Sequence, residues 1–199
     1  MLNLHGFVGY FQDKKEIPYK VTITHPETLW GATSMIDKDS SKTVDIFEMP
    51  LYSELLDNPI MYSKPDYTTF TVDDMDIQIA VYSPTGKFTA ESITPEMKTM
   101  MTAQKTFLGK VNSTKKYTVI LYLSTMSPTD AKGFGALEHP TATTVVMPEM
   151  MPKDELVKQM KDVVSHEFFH ILTPLTIHSK EIQNFDYNAP KMSEHLWMY

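Results

Sequence analysis

The first 90 residues consist of short β-branched and aromatic segments separated by turn-forming residues. Residues Tyr19–Thr24 alternate apolar side chains with polar ones, as in a strand with one buried face. Segments 43–47, 68–72 and 77–82 have the same composition, and stretches rich in Pro, Asp and Gly lie between them. The pattern predicts a partial β-sandwich-like domain over residues 1–90.

After residue 90 the apolar positions take up the spacing of a helix. Thr94, Pro95 and Glu96 are typical of a helix start, and apolar side chains recur at helical spacing from there to Gly109. Residues 117–123 then form a continuous apolar run. Such a run predicts a strand that is buried on both faces.

A second strand and a second helix follow in the same half. Residues 141–147 predict a strand with one more polar face, and residues 152–172 predict an amphipathic helix that ends before Pro174. Helices and strands thus share residues 91–199, after an all-β first part. We predict an α+β protein with two domains, 1–90 and 91–199.

Composition excludes several classes of protein. The 199 residues include 18 Lys+Arg, 25 Asp+Glu and no Cys, with a net charge of −7. A negative chain without a basic cluster is a poor ligand for nucleic acid, and the absence of cysteine excludes thiolate metal sites and thiol nucleophiles. No apolar run approaches the roughly 18 residues of a membrane span, so we expect a soluble protein.

The residues that indicate chemistry are His166-Glu167-Phe168-Phe169-His170, an H-E-x-x-H at the end of the predicted helix. Side chains four positions apart share a helix face, so His166 and His170 can bind one zinc ion. Glu167 lies beside that face and can take a proton from a zinc-activated water as the water attacks a carbonyl. The motif predicts peptide-bond hydrolysis with Glu167 as the general base.

Two histidines do not complete such a site, because catalytic zinc usually takes three protein ligands. The offsets at which metzincins have Gly and His fall here on Thr173 and Thr176, which excludes that subclass. A downstream carboxylate remains, and Glu181 and Glu194 are both candidates. The other downstream histidines are expected to be surface residues: His178 and His195.

A second motif lies between the two predicted strands of the later half. Gly133 and Gly135 allow close backbone approach, and the strand that follows the motif can lie along a bound peptide as an extra partner. Gly135, Ala136 and Glu138 are therefore candidate substrate-binding residues. Glu138 can meet a positively charged substrate amine, although an exposed hairpin would also explain the sequence.

Taken together, these motifs resemble the glycyl aminopeptidase family of gluzincin metallopeptidases. The resemblance is strong from about residue 117 onward and looser before it. It rests on five stretches in order: Leu56–Ile60, Gly135–His139, Val164–His170, Asn184–Tyr187 and Leu196–Tyr199. The resemblance implies an N-terminal β domain followed by a thermolysin-like catalytic domain.

The resemblance also implies roles for single residues. His166 and His170 match the family's zinc ligands, Glu167 matches its general base, and Glu138 matches the acid that holds the free α-amine of the substrate. The family's third ligand is a Glu directly after a Leu-Trp-x-x stretch, and this stretch ends the chain at Tyr199. The third ligand is therefore expected beyond residue 199, with low zinc occupancy and little or no activity in this chain alone.

Two departures limit what the resemblance implies. The family often has two adjacent glycines where this chain reads Gly135-Ala136, and Trp-Asn where it reads Ile171-Leu172. The family's preference for glycine as the substrate side chain is therefore not expected of this chain. The implied partner is a peptide with a free N-terminus, and the implied location of the full-length protein is periplasmic or secreted.

Two rival functions remain open from the sequence. The first is a non-catalytic module that binds a peptide or protein with a metallopeptidase fold. The second is an endopeptidase, in which Glu138 does not bind an amine. A binding module would keep its affinity for a partner after Glu167→Gln. An endopeptidase would cleave blocked and free peptides as before after Glu138→Ala.

Overall fold

The computed structural model describes residues 1–14, 16–110, 114–174, 176–177 and 189. A 3₁₀ turn at Leu4–Gly6 comes first. The strands and helices follow in this order: β1 Tyr19–Thr24, β2 Trp30–Ala32, β3 Val44–Met49, α1 Tyr52–Leu56, β4 Met61–Ser63, β5 Tyr67–Val72, β6 Met75–Tyr82, α2 Ala90–Leu108, β7 Lys116–Ser124, β8 Gly135–His139, β9 Ala142–Pro148 and α3 Lys153–Phe169. The predicted α+β class is confirmed. Within the described residues, no helix is both long and apolar enough to cross a membrane.

The N-terminal part contains two small antiparallel sheets. β1 pairs with β3, and β2 pairs with β4. The predicted alternation in β1 is present, because every second residue of the strand is exposed. The sheets and α1 enclose a small core: Leu4, Met35, Phe47, Leu55 and Ile60. The N-terminal part is therefore β-rich, as the sequence predicts.

The second half is organised around a five-stranded sheet in the order β5-β6-β7-β9-β8. The three central strands are parallel, and the two edge strands run antiparallel to their neighbours. α2 and α3 pack on one face of this sheet, and the β2–β4 pair covers part of the other. β7 is thus buried on both faces, which explains its continuous apolar sequence.

The helix boundaries differ from the prediction. α2 begins at Ala90 because Thr89 and Ser92 form a capping box, each side chain accepting a hydrogen bond from the other's backbone N–H at 3.2 Å. Pro95, predicted at the first helical position, lies in the second turn. α3 ends at Phe169, three residues before the predicted end, with His170 as its C-cap.

The strand pairing bears on the predicted division at residue 90. β5 and β6 precede this residue, yet both belong to the five-stranded sheet and contribute Val72, Ile77 and Ile79 to its core. A sequence-local pattern of short strands cannot show which sheet a strand joins, because pairing is a tertiary property. The division into 1–90 and 91–199 remains a prediction.

Hydrogen bonds connect the N-terminal part to the large sheet close to the start of β9. The side chain of Asn58 accepts a hydrogen bond from the Thr141 hydroxyl at 2.8 Å and donates to the Glu54 carbonyl at 2.7 Å. The Ser34 hydroxyl donates to the Thr141 carbonyl at 2.5 Å. Asn58 is only 5% exposed, so its amide has lost water and depends on these partners.

We predict that Asn58→Ala lowers the free energy of unfolding by about 1–3 kcal/mol, because a buried amide and both of its hydrogen bonds are lost. Thr141→Val removes the other side of one bond, so the double variant should lose less than the sum of the single losses. Thr102→Val makes the same change on the exposed face of α2 and should stay within about 0.5 kcal/mol. Denaturant unfolding measures all four proteins, and a loss for Asn58→Ala no larger than that of the control contradicts the prediction.

Candidate metal and peptide site

The end of α3 brings the two histidines of the H-E-x-x-H motif together. Nε2 of His166 lies 3.3 Å from Nε2 of His170, and the two rings are nearly perpendicular. Two nitrogens that each lie about 2.0–2.1 Å from a tetrahedral zinc ion are separated by roughly 3.3–3.4 Å. The pair therefore has the separation that two ligands of one zinc ion require.

The turn after α3 orients His170. Nδ1 of His170 lies 2.7 Å from the Thr173 carbonyl oxygen, and the backbone turns through Ile171 and Leu172 to bring that carbonyl into place. A carbonyl only accepts hydrogen bonds, so Nδ1 carries the hydrogen and Nε2 keeps its lone pair. This arrangement is typical of metal-binding histidines, which donate their other ring N–H to a carbonyl or carboxylate.

Glu167 lies on the inner side of α3 and is only 7% exposed. Its Oε2 atom is sealed from solvent and has no hydrogen-bond partner among the described residues. Burial raises the pKa of this carboxyl, and the charge of Glu138 raises it further, while His166 and His170 act in the opposite direction. This inward carboxylate is available for proton transfer beside the helix face that carries the two histidines.

β8 brings Glu138 to this group. One carboxylate oxygen from each of Glu138 and Glu167 and one ring nitrogen of His170 all lie within 4.8 Å of one another. Glu138 pairs with Thr143 of β9, and α3 packs over the same edge of the sheet. Two motifs that are 27 residues apart in the sequence thus meet at one point. This cluster thus holds Glu138, Glu167 and His170, and His166 lies next to it through its contact with His170.

The other two predicted substrate-binding residues lie on β8 as well. Gly135 begins the strand with a φ of 146°, a conformation that L side chains rarely adopt, although a Cβ there would meet nothing within 4 Å. Its glycine is explained by backbone conformation rather than by lack of space. Ala136 is partly buried against the main core. Four predicted residues lie outside the described residues: Glu181, Glu194, His178 and His195.

The structure shows two supports for α3 that the sequence did not indicate. Nε2 of Gln104 on α2 donates to the Ser165 carbonyl at 2.7 Å, one residue before His166. The Tyr117 ring contacts Phe168 edge-on, with 5.1 Å between ring centroids. Neither residue belongs to a recognisable motif, and a backbone carbonyl such as that of Ser165 carries no sequence signal. Both contacts depend on how α3 packs against α2 and β7.

The structure thus combines a helix that carries H-E-x-x-H with an edge strand that carries an acid. Two models of one peptidase family match the chain and cover more than half of it between them. The Peptidase M61 N-terminal domain matches residues 1–64, and M61 glycyl aminopeptidase matches residues 159–199, which include the H-E-x-x-H motif. The chain belongs to the M61 glycyl aminopeptidase family, and the resemblance found in the sequence is confirmed.

Of two similar solved structures, the first shows the same fold. An aminopeptidase N family protein from Idiomarina loihiensis aligns with 80% of this chain at 18% identity and a TM-score of 0.63, and the chain spans 28% of that protein. An M1 zinc metallopeptidase from Deinococcus radiodurans aligns with 78% of this chain at 16% identity and a TM-score of 0.45, over 36% of that protein. No curated protein matches the chain.

Burial of Glu167 leads to a prediction for the metal-free protein. A folded-state pKa above the ordinary value of 4.5 means that the charged carboxylate costs stability once the pH rises above 4.5. Glu167→Gln removes this charge, so its melting temperature at pH 7 should exceed that of the wild type by about 1–3 °C. The gain should vanish below about pH 4, where the wild-type carboxyl is protonated in both states.

Melting curves in a chelator at pH 7 and pH 4 measure this difference. Glu96→Gln on the exposed side of α2 is the matched control and should change the melting temperature little at either pH. A Glu167→Gln protein that melts below the wild type at pH 7 contradicts the prediction.

Proposed function

We propose that the protein to which this chain belongs is a zinc-dependent aminopeptidase. The observation that carries this proposal is the pair of His166 and His170, with their Nε2 atoms 3.3 Å apart, together with the cluster of His170, Glu167 and Glu138. Membership of a peptidase family supports the reaction class. The substrate class is a peptide with a free N-terminus.

His166 and His170 would hold the ion. When bound, zinc supplies a Lewis acid for the scissile carbonyl and the attacking water. The described residues provide two imidazoles, fewer than the three protein ligands usual for catalytic zinc, so these residues alone should hold the ion weakly. The His170 ring is half-buried, and the hydrogen bond from its Nδ1 to the Thr173 carbonyl fixes the orientation of this ring.

Glu167 is the general base in this proposal. Its carboxylate takes a proton from the attacking water and then gives it to the leaving amine, which balances the hydrolysis. Burial favours this role, because an upward shift of its pKa brings the carboxyl closer to the pH at which it must both accept and release a proton.

Glu138 binds the α-amine of the substrate. Its position on the edge strand β8 places a negative charge beside the reacting groups, where an ammonium group one residue from the scissile bond would lie. The other edge of β8 has no strand partner among the described residues, so an extended peptide can pair with it through backbone hydrogen bonds. A charge at this place favours substrates with a free N-terminus.

We predict that Glu167→Gln lowers kcat at least about 1000-fold and leaves the zinc content unchanged, because Glu167 moves protons and does not hold the ion. Elemental analysis and hydrolysis of aminoacyl-amide substrates by the full-length gene product measure both quantities. Glu155→Gln, at the far end of α3, should keep wild-type activity. If wild type and Glu167→Gln are equally inactive but bind a peptide equally well, the protein is a binding module instead.

A second prediction concerns Glu138. Glu138→Gln keeps the size of the side chain and removes its charge, so kcat/KM for peptides with a free N-terminus should fall about 100-fold or more. Hydrolysis of the same peptides with an acetylated N-terminus should not fall in parallel. Equal loss, or no loss, for both sets of peptides points to the endopeptidase alternative, in which Glu138 does not bind the amine.

A further inference from the structure

Tyr117 lies beneath the end of α3 and plays no part in the reaction as proposed. It is on β7, fully buried, and its ring contacts Phe168, the neighbour of Glu167. Val119, two residues along β7, also belongs to the core beneath α2 and α3. The Tyr117 side chain thus rises from the helix-bearing face of the sheet toward the turn that holds Glu167.

Two buried polar atoms in this region, one on β7 and one on α3, have no partner among the described residues. They are the hydroxyl of Tyr117 and Oε2 of Glu167, and both are sealed from solvent. Nearly all buried polar atoms in proteins are satisfied, so two unpaired ones beside a catalytic helix require an explanation. The Tyr117 hydroxyl is a donor. Two buried acceptors in this region have no partner among the described residues, Oε2 of Glu167 and Oε1 of Gln104, and the charged carboxylate is the stronger acceptor.

The charge environment of Tyr117 agrees with its packing under Phe168 of α3. Burial raises the pKa of the Tyr117 hydroxyl well above its ordinary value, and the negative charge of Glu167 raises it further, with a smaller contribution from Glu138. The hydroxyl therefore keeps its proton throughout the range in which peptidases work. It can only donate to a carboxylate that faces it.

We propose that Tyr117 is a positioning residue for Glu167, donating a hydrogen bond to the inner oxygen Oε2 through one enclosed water. The inference deepens the proposed function and rests on it. The bond would satisfy both buried atoms and fix the rotation of the carboxylate, so that the other oxygen, Oε1, faces the attacking water. Tyr117 touches neither the substrate nor the ion.

Tyr117→Phe in the full-length gene product tests the positioning role. We expect kcat to fall about tenfold, KM to stay within twofold and the zinc content to stay unchanged, because only the orientation of the base is disturbed. Tyr52→Phe removes another buried hydroxyl, which donates to the Val8 carbonyl far from the site, and should leave kcat unchanged. Wild-type kcat in Tyr117→Phe overturns the proposal.

A double-mutant cycle tests the contact without any activity. Glu167→Met keeps an unbranched side chain and removes both acceptor oxygens. In the metal-free protein, the unfolding constant of Tyr117→Phe combined with Glu167→Met should differ from the product of the single effects by about fivefold or more. Additive effects overturn the contact, and so does an equally strong coupling of Tyr117 to Glu138→Gln in place of Glu167.

The two measurements separate the two ideas. If the wild-type protein cleaves no peptide, the proposed aminopeptidase function fails, while the cycle still decides whether Tyr117 contacts Glu167. If the wild type cleaves peptides and Tyr117→Phe retains its kcat, the function stands and the positioning role is wrong.

Discussion

The packing of α3 against the five-stranded sheet is the constraint on which the site depends. Leu156, Met160, Val164 and Phe168 form the buried stripe of the helix, and they fix both its position and its rotation about its own axis. Once that stripe is buried, Glu167 must face the sheet edge, and His166 and His170 must lie together on the neighbouring face. The chemistry of the site is thus set by apolar contacts that take no part in it.

The sheet supplies the second half of the same arrangement. β8 is held at the edge by antiparallel pairing with β9, and this register brings Glu138 under the end of α3. Burial then gives the group its electrostatic character, because two carboxylates and two imidazoles lie close together with little water around Glu167. Such a cluster is costly without an ion and well suited to binding one.

Local patterns predicted the parts that depend on few residues. The alternation in β1, the apolar run of β7 and the amphipathic stripe of α3 are local consequences of burial. The pairing of the two histidines of H-E-x-x-H follows from helix geometry alone. The predicted start of α2 was wrong. Both the Thr89–Ser92 capping box and the Pro95 position satisfy the rules for a helix start, and the sequence does not show which of the two begins the helix. The membership of β5 and β6 in the large sheet, the Thr173 carbonyl and the unpaired hydroxyl of Tyr117 depend on tertiary packing, which no local pattern contains.

The measurement that tests the account most directly is the position of zinc in a crystal of the zinc-loaded full-length gene product, located by anomalous scattering at the zinc edge. The account predicts one ion about 2.0–2.1 Å from Nε2 of both His166 and His170, with Glu167 and Glu138 outside its ligands. An ion held by Glu138 and Glu167, or one that lies away from the two histidines, would contradict the assignment of the base and of the amine-binding acid.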